Sequence, residues 1–130
     1  MIMLTKDQVL LLHKAIYDRY GGSYGVRDEG LLDSALKAPF QTFAGQDLYP
    51  GDMKKIFRLG YGLITNHPFY DGNKRIGALV LLTLLELNGY NIIATNKELA
   101  DAVYNVACAF DETDYYEFLY WVKEHTEGGY

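Results

Sequence analysis

Residues 67–77 read HPFYDGNKRIG, and the chain continues from them into its most apolar segment, Ile76 to Leu87. Residues 67–75 contain a base, a carboxylate, an amide and two cations. Amide groups point outward at the start of a helix and the helix dipole favours anions there. A polar loop that leads into a buried helix therefore predicts an anion site at the beginning of a central helix.

Local start and stop signals predict two helices before this stretch and a third that leads into it. Thr5 with Gln8 fits a capping box for the first helix. Asp28 is the expected cap of the second helix. Asp52 is the expected cap of the third helix, which should run to about Asn66 and deliver the chain to the polar loop. Because only that loop separates the third helix from the fourth, we expect these two helices to be neighbours.

Three further helices are expected in the second half of the chain. The fourth begins near Asn73 and ends at the stop pair Asn88-Gly89. Thr95 or Asn96 caps a fifth helix that reaches Phe110, and a sixth carries the aromatic residues between 115 and 121. The fourth helix is apolar on nearly all sides, which is typical of a helix in the middle of a bundle.

The segments between these helices carry weaker signals. Residues 40–51 contain glycine, proline and aromatic residues together and predict an ordered loop or a weak hairpin. Residues 90–94 are expected to be a short extended link, and the tail, residues 126–130, is expected to be frayed. No run of alternating strands is visible. The expected class is therefore all-α, with about six helices in a single domain over residues 1–130.

Composition argues against several classes of protein. The formal net charge of −5 does not favour direct nucleic-acid or membrane binding. Cys108 is the only cysteine, so no internal disulfide can form, and we expect a buried, unreactive thiol. No basic stretch precedes the short apolar run at Val9, and Ile76 to Leu85 is too short to span a bilayer. These observations predict a soluble, cytoplasmic protein.

The polar loop contains the groups that transfer of a phosphoryl group to a hydroxyl requires. Because a free imidazole titrates at roughly pH 6.5, a histidine such as His67 is suited to the role of a base. Asp71 offers the hard oxygen ligand that Mg²⁺ prefers. Gly72 permits a close approach of phosphate to the backbone. Asn73 can hold the loop or donate to phosphate.

Two cations complete this set. Lys74 supplies a point charge and Arg75 a two-pronged hydrogen-bonding group, and either can stabilise charge that develops on phosphate. The residue types alone lead no further than an anion site suited to phosphate transfer.

The nine residues HPFYDGNKR resemble the signature of the Fic/Doc family, and more closely that of its Doc (death-on-curing) toxin branch. Further matches to that branch are Leu12-His13, Arg19-Tyr20-Gly21-Gly22, Gly25-Val26-Arg27-Asp28, the segment from Leu31 to Pro39, Leu48-Tyr49-Pro50 and Asn88-Gly89. The resemblance implies the helical Fic fold with ATP bound over the motif loop, that is, over residues 67–75. It also implies that residues 40–51 form a flap that aligns the target protein. From the sequence, a role in docking the target and a purely structural role are equally supported for this segment.

The resemblance assigns a role to each motif residue. His67 matches the catalytic base and Asp71 the Mg²⁺-binding acid. Asn73 and Arg75 match positions that contact phosphate, with Gly72 beside them. Phe69 matches the residue that anchors the loop in the core.

Lys74 selects between two reactions within the family. Fic enzymes that transfer AMP usually have glycine at this position, whereas a lysine accompanies the reversed ATP orientation of the Doc branch. The resemblance therefore implies a protein kinase, with Lys74 and Arg75 assisting His67 in catalysis. The implied target is a threonine of elongation factor EF-Tu, and the implied partner is a cognate antitoxin. AMP transfer and a binding module without turnover remain the alternatives.

Other conspicuous residues are interpreted as structural. His13 lies on the apolar face of the first helix and is expected to be a buried histidine with satisfied hydrogen bonds. Arg19 is interpreted as a charge at a helix end. The aromatic residues between 115 and 121 are expected to pack in the core.

Overall fold

The computed structural model describes residues 1–107 and 112–128, and six α-helices account for most of them. The helices are α1 (Lys6–Tyr20), α2 (Glu29–Lys37), α3 (Asp52–Asn66), α4 (Asn73–Leu87), α5 (Asn96–Ala107) and α6 (Glu112–Glu124). Two antiparallel strand pairs accompany them: β1 (Thr42–Phe43) with β2 (Gln46–Asp47), and β3 (Tyr90–Ile92) with β4 (Thr126–Gly128). The predicted all-α class is confirmed, and residues 42–47 form the predicted weak hairpin.

Most of the predicted helix starts are confirmed by hydrogen bonds. The Thr5 hydroxyl accepts from the Gln8 amide at 3.2 Å, and the Gln8 side chain accepts from the Thr5 amide at 2.8 Å. The Asp28 carboxylate accepts from the Leu31 amide at 3.0 Å. Of the two caps considered for α5, Thr95 is the one used, because its hydroxyl accepts from the Glu98 amide at 3.1 Å.

Two local predictions were wrong. Asp52 is the first residue of α3, and Gly51, with a φ of 88°, takes the capping position without a side-chain hydrogen bond. The tail was expected to be frayed, but residues 126–128 pair with β3. The partner strand lies more than 30 residues earlier, so no local signal announces it. The predictions for Cys108, Phe110 and the last two residues fall outside the described residues.

The core is built around α4, as its apolar sequence predicts. Five of its side chains are completely buried: Ile76, Val80, Leu81, Leu84 and Leu85. The helix packs against α1, α3, α5 and β3, and its most extensive contact is with α3. The predicted adjacency of α3 and α4 is confirmed. Within the described ranges, none of the helices combines the length and apolar content needed to cross a bilayer.

Two glycines allow the close approach of α3 and α4. A Cβ atom added to Gly77 would collide with Ile64 and lie 2.9 Å from the Gly60 carbonyl oxygen. A Cβ atom added to Gly60 would lie 3.2 Å from the Gly77 carbonyl oxygen and from Leu81. Gly77 therefore has less room than Gly60. Because α3 leads into the motif loop and α4 leads out of it, the close packing of these two helices fixes both ends of the loop.

We expect Gly77→Ala to lower the free energy of unfolding by about 1–3 kcal/mol, because overpacking forces side chains or backbone to shift. Urea denaturation measures the loss. Gly60→Ala is the matched control and should cost less, since its closest contacts are longer. Equal stability of Gly77→Ala and the parent protein would contradict this account of the helix crossing.

Candidate functional site

The motif loop joins the end of α3 to the start of α4. His67 follows α3 in a left-handed backbone conformation, with φ 51° and ψ 53°, and its side chain is exposed. Gly72 precedes α4 in a second left-handed conformation, with φ 78° and ψ 17°. The six residues between α3 and α4, residues 67–72, therefore begin and end with a left-handed residue.

Phe69 anchors the loop in the core, as expected. Its ring is 1% exposed and stacks on the His13 ring, with centroids 3.7 Å apart and an interplanar angle of 8°. The buried Asn73 side chain accepts from the Phe69 amide and donates to the Phe69 carbonyl, each at 3.0 Å. Of the two roles considered for the Asn73 amide, the structure shows the one that holds the loop.

His13 is buried and hydrogen-bonded, which confirms its interpretation. Its Nε2 lies 2.8 Å from the carbonyl oxygen of Asp71, so the protonated nitrogen donates to the loop. The partner of this histidine is therefore the motif itself. His13 and Asn73 together hold the backbone on both sides of Tyr70.

The left-handed conformation of Gly72 makes a prediction about stability. Gly72→Ala should lower the free energy of unfolding by about 1–2 kcal/mol, because a Cβ atom is strained at this φ. Steric contact adds little, since the added Cβ would lie 3.4 Å from Ile16 and 3.5 Å from His13. Urea denaturation tests this, and an alanine variant as stable as the parent would contradict it.

Asp71 presents an exposed carboxylate on the same loop. Its Oδ1 accepts from the Gly72 amide at 2.9 Å. Gly22 packs so closely that a Cβ atom there would collide with the Asp71 carboxylate. In the part of the chain that the structure describes, no group of three or more histidine, cysteine, aspartate or glutamate residues is arranged to hold a metal ion.

The two motif cations each contact a tyrosine ring. Lys74 Nζ lies 4.8 Å from the centroid of the Tyr104 ring on α5. The Arg75 guanidinium carbon lies 4.1 Å from the centroid of the Tyr20 ring at the end of α1. Cation–π attraction at this range restrains long side chains that are otherwise exposed. Neither tyrosine was assigned to the site from the sequence, because contacts between distant helices leave no local signal. Tyr20 had been noted as part of the match at Arg19-Tyr20-Gly21-Gly22.

A cavity of about 620 Å³ joins these groups. Every predicted site residue contributes to its lining, together with residues of α4 and α5: His67, Tyr70, Asp71, Gly72, Asn73, Lys74, Arg75, Ala78, Ala100, Val103 and Tyr104. The volume falls in the range of small-molecule sites, about 300–1,000 Å³. The cavity thus combines an imidazole, a carboxylate and two cations next to the amino end of α4.

A neighbouring segment, residues 25–28, contacts the motif loop, although the sequence assigned only a helix-cap role there, to Asp28. Its backbone pairs with the motif loop, through a bridge between Val26 and Phe69 and a hydrogen bond from the Tyr70 amide to the Gly25 carbonyl at 3.2 Å. The Arg27 side chain donates to the His67 carbonyl. Apart from the Asp28 cap, only the resemblance had drawn attention to this segment.

The remaining structural interpretations have mixed outcomes. Arg19 lies in the last turn of α1, as interpreted, with its guanidinium 5.5 Å from the Tyr20 ring. Phe118 packs in the core as expected. The expectation was wrong for Tyr116 and Tyr120, which are 63% and 66% exposed, because they lie on the outer face of α6.

Comparison with known proteins matches the part of the chain that builds this site. A model of the Fic/DOC family matches residues 3–85. The Toxin Doc of Mycolicibacterium smegmatis (strain ATCC 700084 / mc(2)155) is 41% identical over 75 residues. That alignment covers 58% of this chain and 58% of the relative, so the chain matches less than two thirds of the relative's length.

Proposed function

Because this chain belongs to the Fic/DOC family, we propose that it is an ATP- and Mg²⁺-dependent enzyme that transfers the γ-phosphate to a hydroxyl group of a target protein. The observation that carries the proposal is the common cavity: a base, a carboxylate, two cations and the amino end of α4 all face one space of about 620 Å³. This is the set of groups that phosphoryl transfer uses.

The residues present fit a nucleotide with its metal ion. The first amides of α4 lack acceptors within the helix and suit phosphate oxygens. Gly72 leaves the approach to these amides free of a side chain, and Lys74 and Arg75 supply positive charge. Asp71 would hold Mg²⁺, which accepts one or two protein carboxylates and completes its shell with phosphate and water. Bound ATP with Mg²⁺ supplies the phosphoryl group in an activated form.

His67 would accept the proton of the target hydroxyl, whose oxygen then bonds to the γ-phosphorus as the bond to the β-phosphate oxygen breaks. The products are the phosphorylated target and ADP. Lys74 and Arg75 would stabilise the negative charge on the transferring group. The exposure of the His67 side chain suits this role, because the base must meet a hydroxyl that another protein presents.

The similarity to a protein named Toxin Doc extends the proposal to the biological role. We propose that the chain is the toxin of a toxin–antitoxin pair, that it acts in the cytoplasm with a cognate antitoxin as partner, and that its target is a threonine of elongation factor EF-Tu, whose modification blocks translation. The β1–β2 hairpin and the residues beside it are the proposed docking edge, since Phe43 on β1 is 76% exposed and the flanking Phe40 and Leu48 are 51% and 50% exposed.

ATP labelled separately at the α and the γ phosphate tests the reaction. Incubation of the protein and Mg²⁺ with EF-Tu should label EF-Tu from the γ position only. Label from the α position alone would overturn phosphate transfer in favour of AMP transfer. If neither label is transferred to EF-Tu, the same experiment with a cell lysate separates a wrong target from an inactive enzyme.

Calorimetry tests the alternative of a binding module without turnover. The proposed enzyme should bind a non-hydrolysable ATP analogue in a Mg²⁺-dependent manner, and its expression should arrest growth. Binding without growth arrest and without label transfer would favour the binding module. Absence of Mg²⁺-dependent binding would contradict the assignment of Asp71.

A further inference from the structure

Among the described residues outside the motif, Arg27 makes the most side-chain hydrogen bonds to the motif loop and the adjoining end of α3, although it lies 40 residues before His67 in the chain. Its Nε and Nη2 donate to the carbonyl oxygen of His67 at 2.9 and 2.6 Å. Nη2 also donates to the carbonyl oxygen of Asn66 at 3.4 Å. The guanidinium group therefore grips the point at which α3 ends and the loop begins.

This point needs such a partner for two reasons. The last carbonyl groups of a helix have no donors within the helix, and the negative end of the helix dipole lies there. His67 also adopts a left-handed conformation, which is unfavourable for a residue with a side chain. A fixed cation that donates to its carbonyl group stabilises both features.

The backbone of Arg27 is itself held to the loop. Its amide donates to the Pro68 carbonyl at 2.8 Å, and the Asp28 amide donates to the same oxygen at 3.1 Å. On the other side of Val26, the Gly25 carbonyl accepts from Tyr70. Since Asp28 also caps α2, the segment connects the motif loop to the start of that helix.

We propose that Arg27 is a positioning residue that orients the His67 imidazole by fixing the His67 backbone. The inference rests on the proposed function of His67 as the base. Arg27 is not among the described residues that line the cavity. We therefore expect it to act through His67 and not through contact with substrate. It predicts an effect on turnover that is separate from nucleotide binding.

The test compares Arg27→Ala and Arg27→Lys with the parent protein and with Lys14→Ala. Lys14→Ala is the matched control, because it also removes one exposed cation, whose contact at 3.1 Å to Asp18 stays within α1. The measurements are kcat, KM for ATP, the unfolding temperature, and the NMR resonances of the His67 ring. Misplacement of a catalytic group by about 1 Å can cost roughly 100-fold in rate.

We expect Arg27→Ala to lower kcat by roughly 10- to 100-fold, to leave the KM for ATP within about twofold, and to shift the His67 ring resonances. Arg27→Lys should recover part of the loss, because an ammonium group can donate to the same carbonyl oxygen but lacks the planar fork. Lys14→Ala should leave all four quantities unchanged.

A kcat for Arg27→Ala equal to that of Lys14→Ala would overturn the proposal, and so would a loss of rate that is matched by the loss of folded protein. If Arg27→Ala does not fold, Arg27→Lys and Arg27→Gln are compared in its place. If the parent protein transfers no phosphate, the proposed function fails. The His67 resonances then decide about Arg27 alone: unchanged resonances in the folded variants overturn the positioning role, and shifted resonances support it.

Discussion

Replacing His67 with alanine should lower the rate of phosphate transfer by roughly 10²–10⁴, because a positioned base contributes about that factor. The corresponding loss of transition-state stabilisation is about 3–5 kcal/mol. His67 lines the same cavity as Asp71, Lys74 and Arg75. Nucleotide affinity should change little, since the imidazole is assigned to the target hydroxyl and not to phosphate. Single-turnover transfer from γ-labelled ATP measures the rate.

His125→Ala is the matched control for this experiment. It also removes an imidazole, but this one bonds to the Trp121 carbonyl at 2.7 Å and is not among the described residues lining the cavity. The control should lose stability at most, which the unfolding temperature reports. Expression of His67→Ala should also relieve any arrest of growth. A His67→Ala protein as active and as toxic as the parent would contradict the assignment of the base.

Replacing Lys74 with methionine should lower γ-phosphate transfer by roughly 10²–10³. This is the usual effect of removing one preorganised group that stabilises charge in the transition state. Methionine keeps much of the length and apolar character of the lysine chain and removes only its charge and donors. Because Lys74 is also proposed to select the orientation of ATP, the ratio of α to γ label on the target should rise.

Lys97→Met is the control for the charge change. Lys97 is exposed on α5, pairs with Asp101 at 3.0 Å, and is not among the described residues of the cavity lining. Two changes at Tyr104 separate charge from placement: Tyr104→Phe keeps the ring that faces Lys74, and Tyr104→Ala removes it. Full γ transfer by Lys74→Met would contradict the role of the lysine in the reaction.

Helix boundaries were predictable because their causes are local. The capping box at Thr5 and the Asp28 cap each involve atoms three residues apart, so the residues that form them are visible together in the sequence. The Asp52 prediction failed because glycine can also cap a helix, and Gly51 takes the position without any side chain. The pairing of residues 126–128 with β3 could not be predicted, since strand pairing depends on contacts between distant segments.

The composition of the candidate site was predictable for a related reason. Residues 67–75 are contiguous, and a tight loop between two helices brings contiguous polar residues to one place. The six predicted site residues accordingly share one cavity. The sequence also predicted the central position of α4, because a helix that is apolar on nearly all sides must be covered by neighbours on several sides.

The sequence by itself therefore determined the helical class, the position of the motif loop and the chemical groups that the site contains. Only the tertiary structure decided how those groups are held. Arg27 and His13 grip the backbone of the loop from a distance of 40 and 58 residues along the chain. The physical reason is that the type of a side chain, which the sequence shows, limits the bonds that it can make. Which partner it meets depends on how the helices pack around α4.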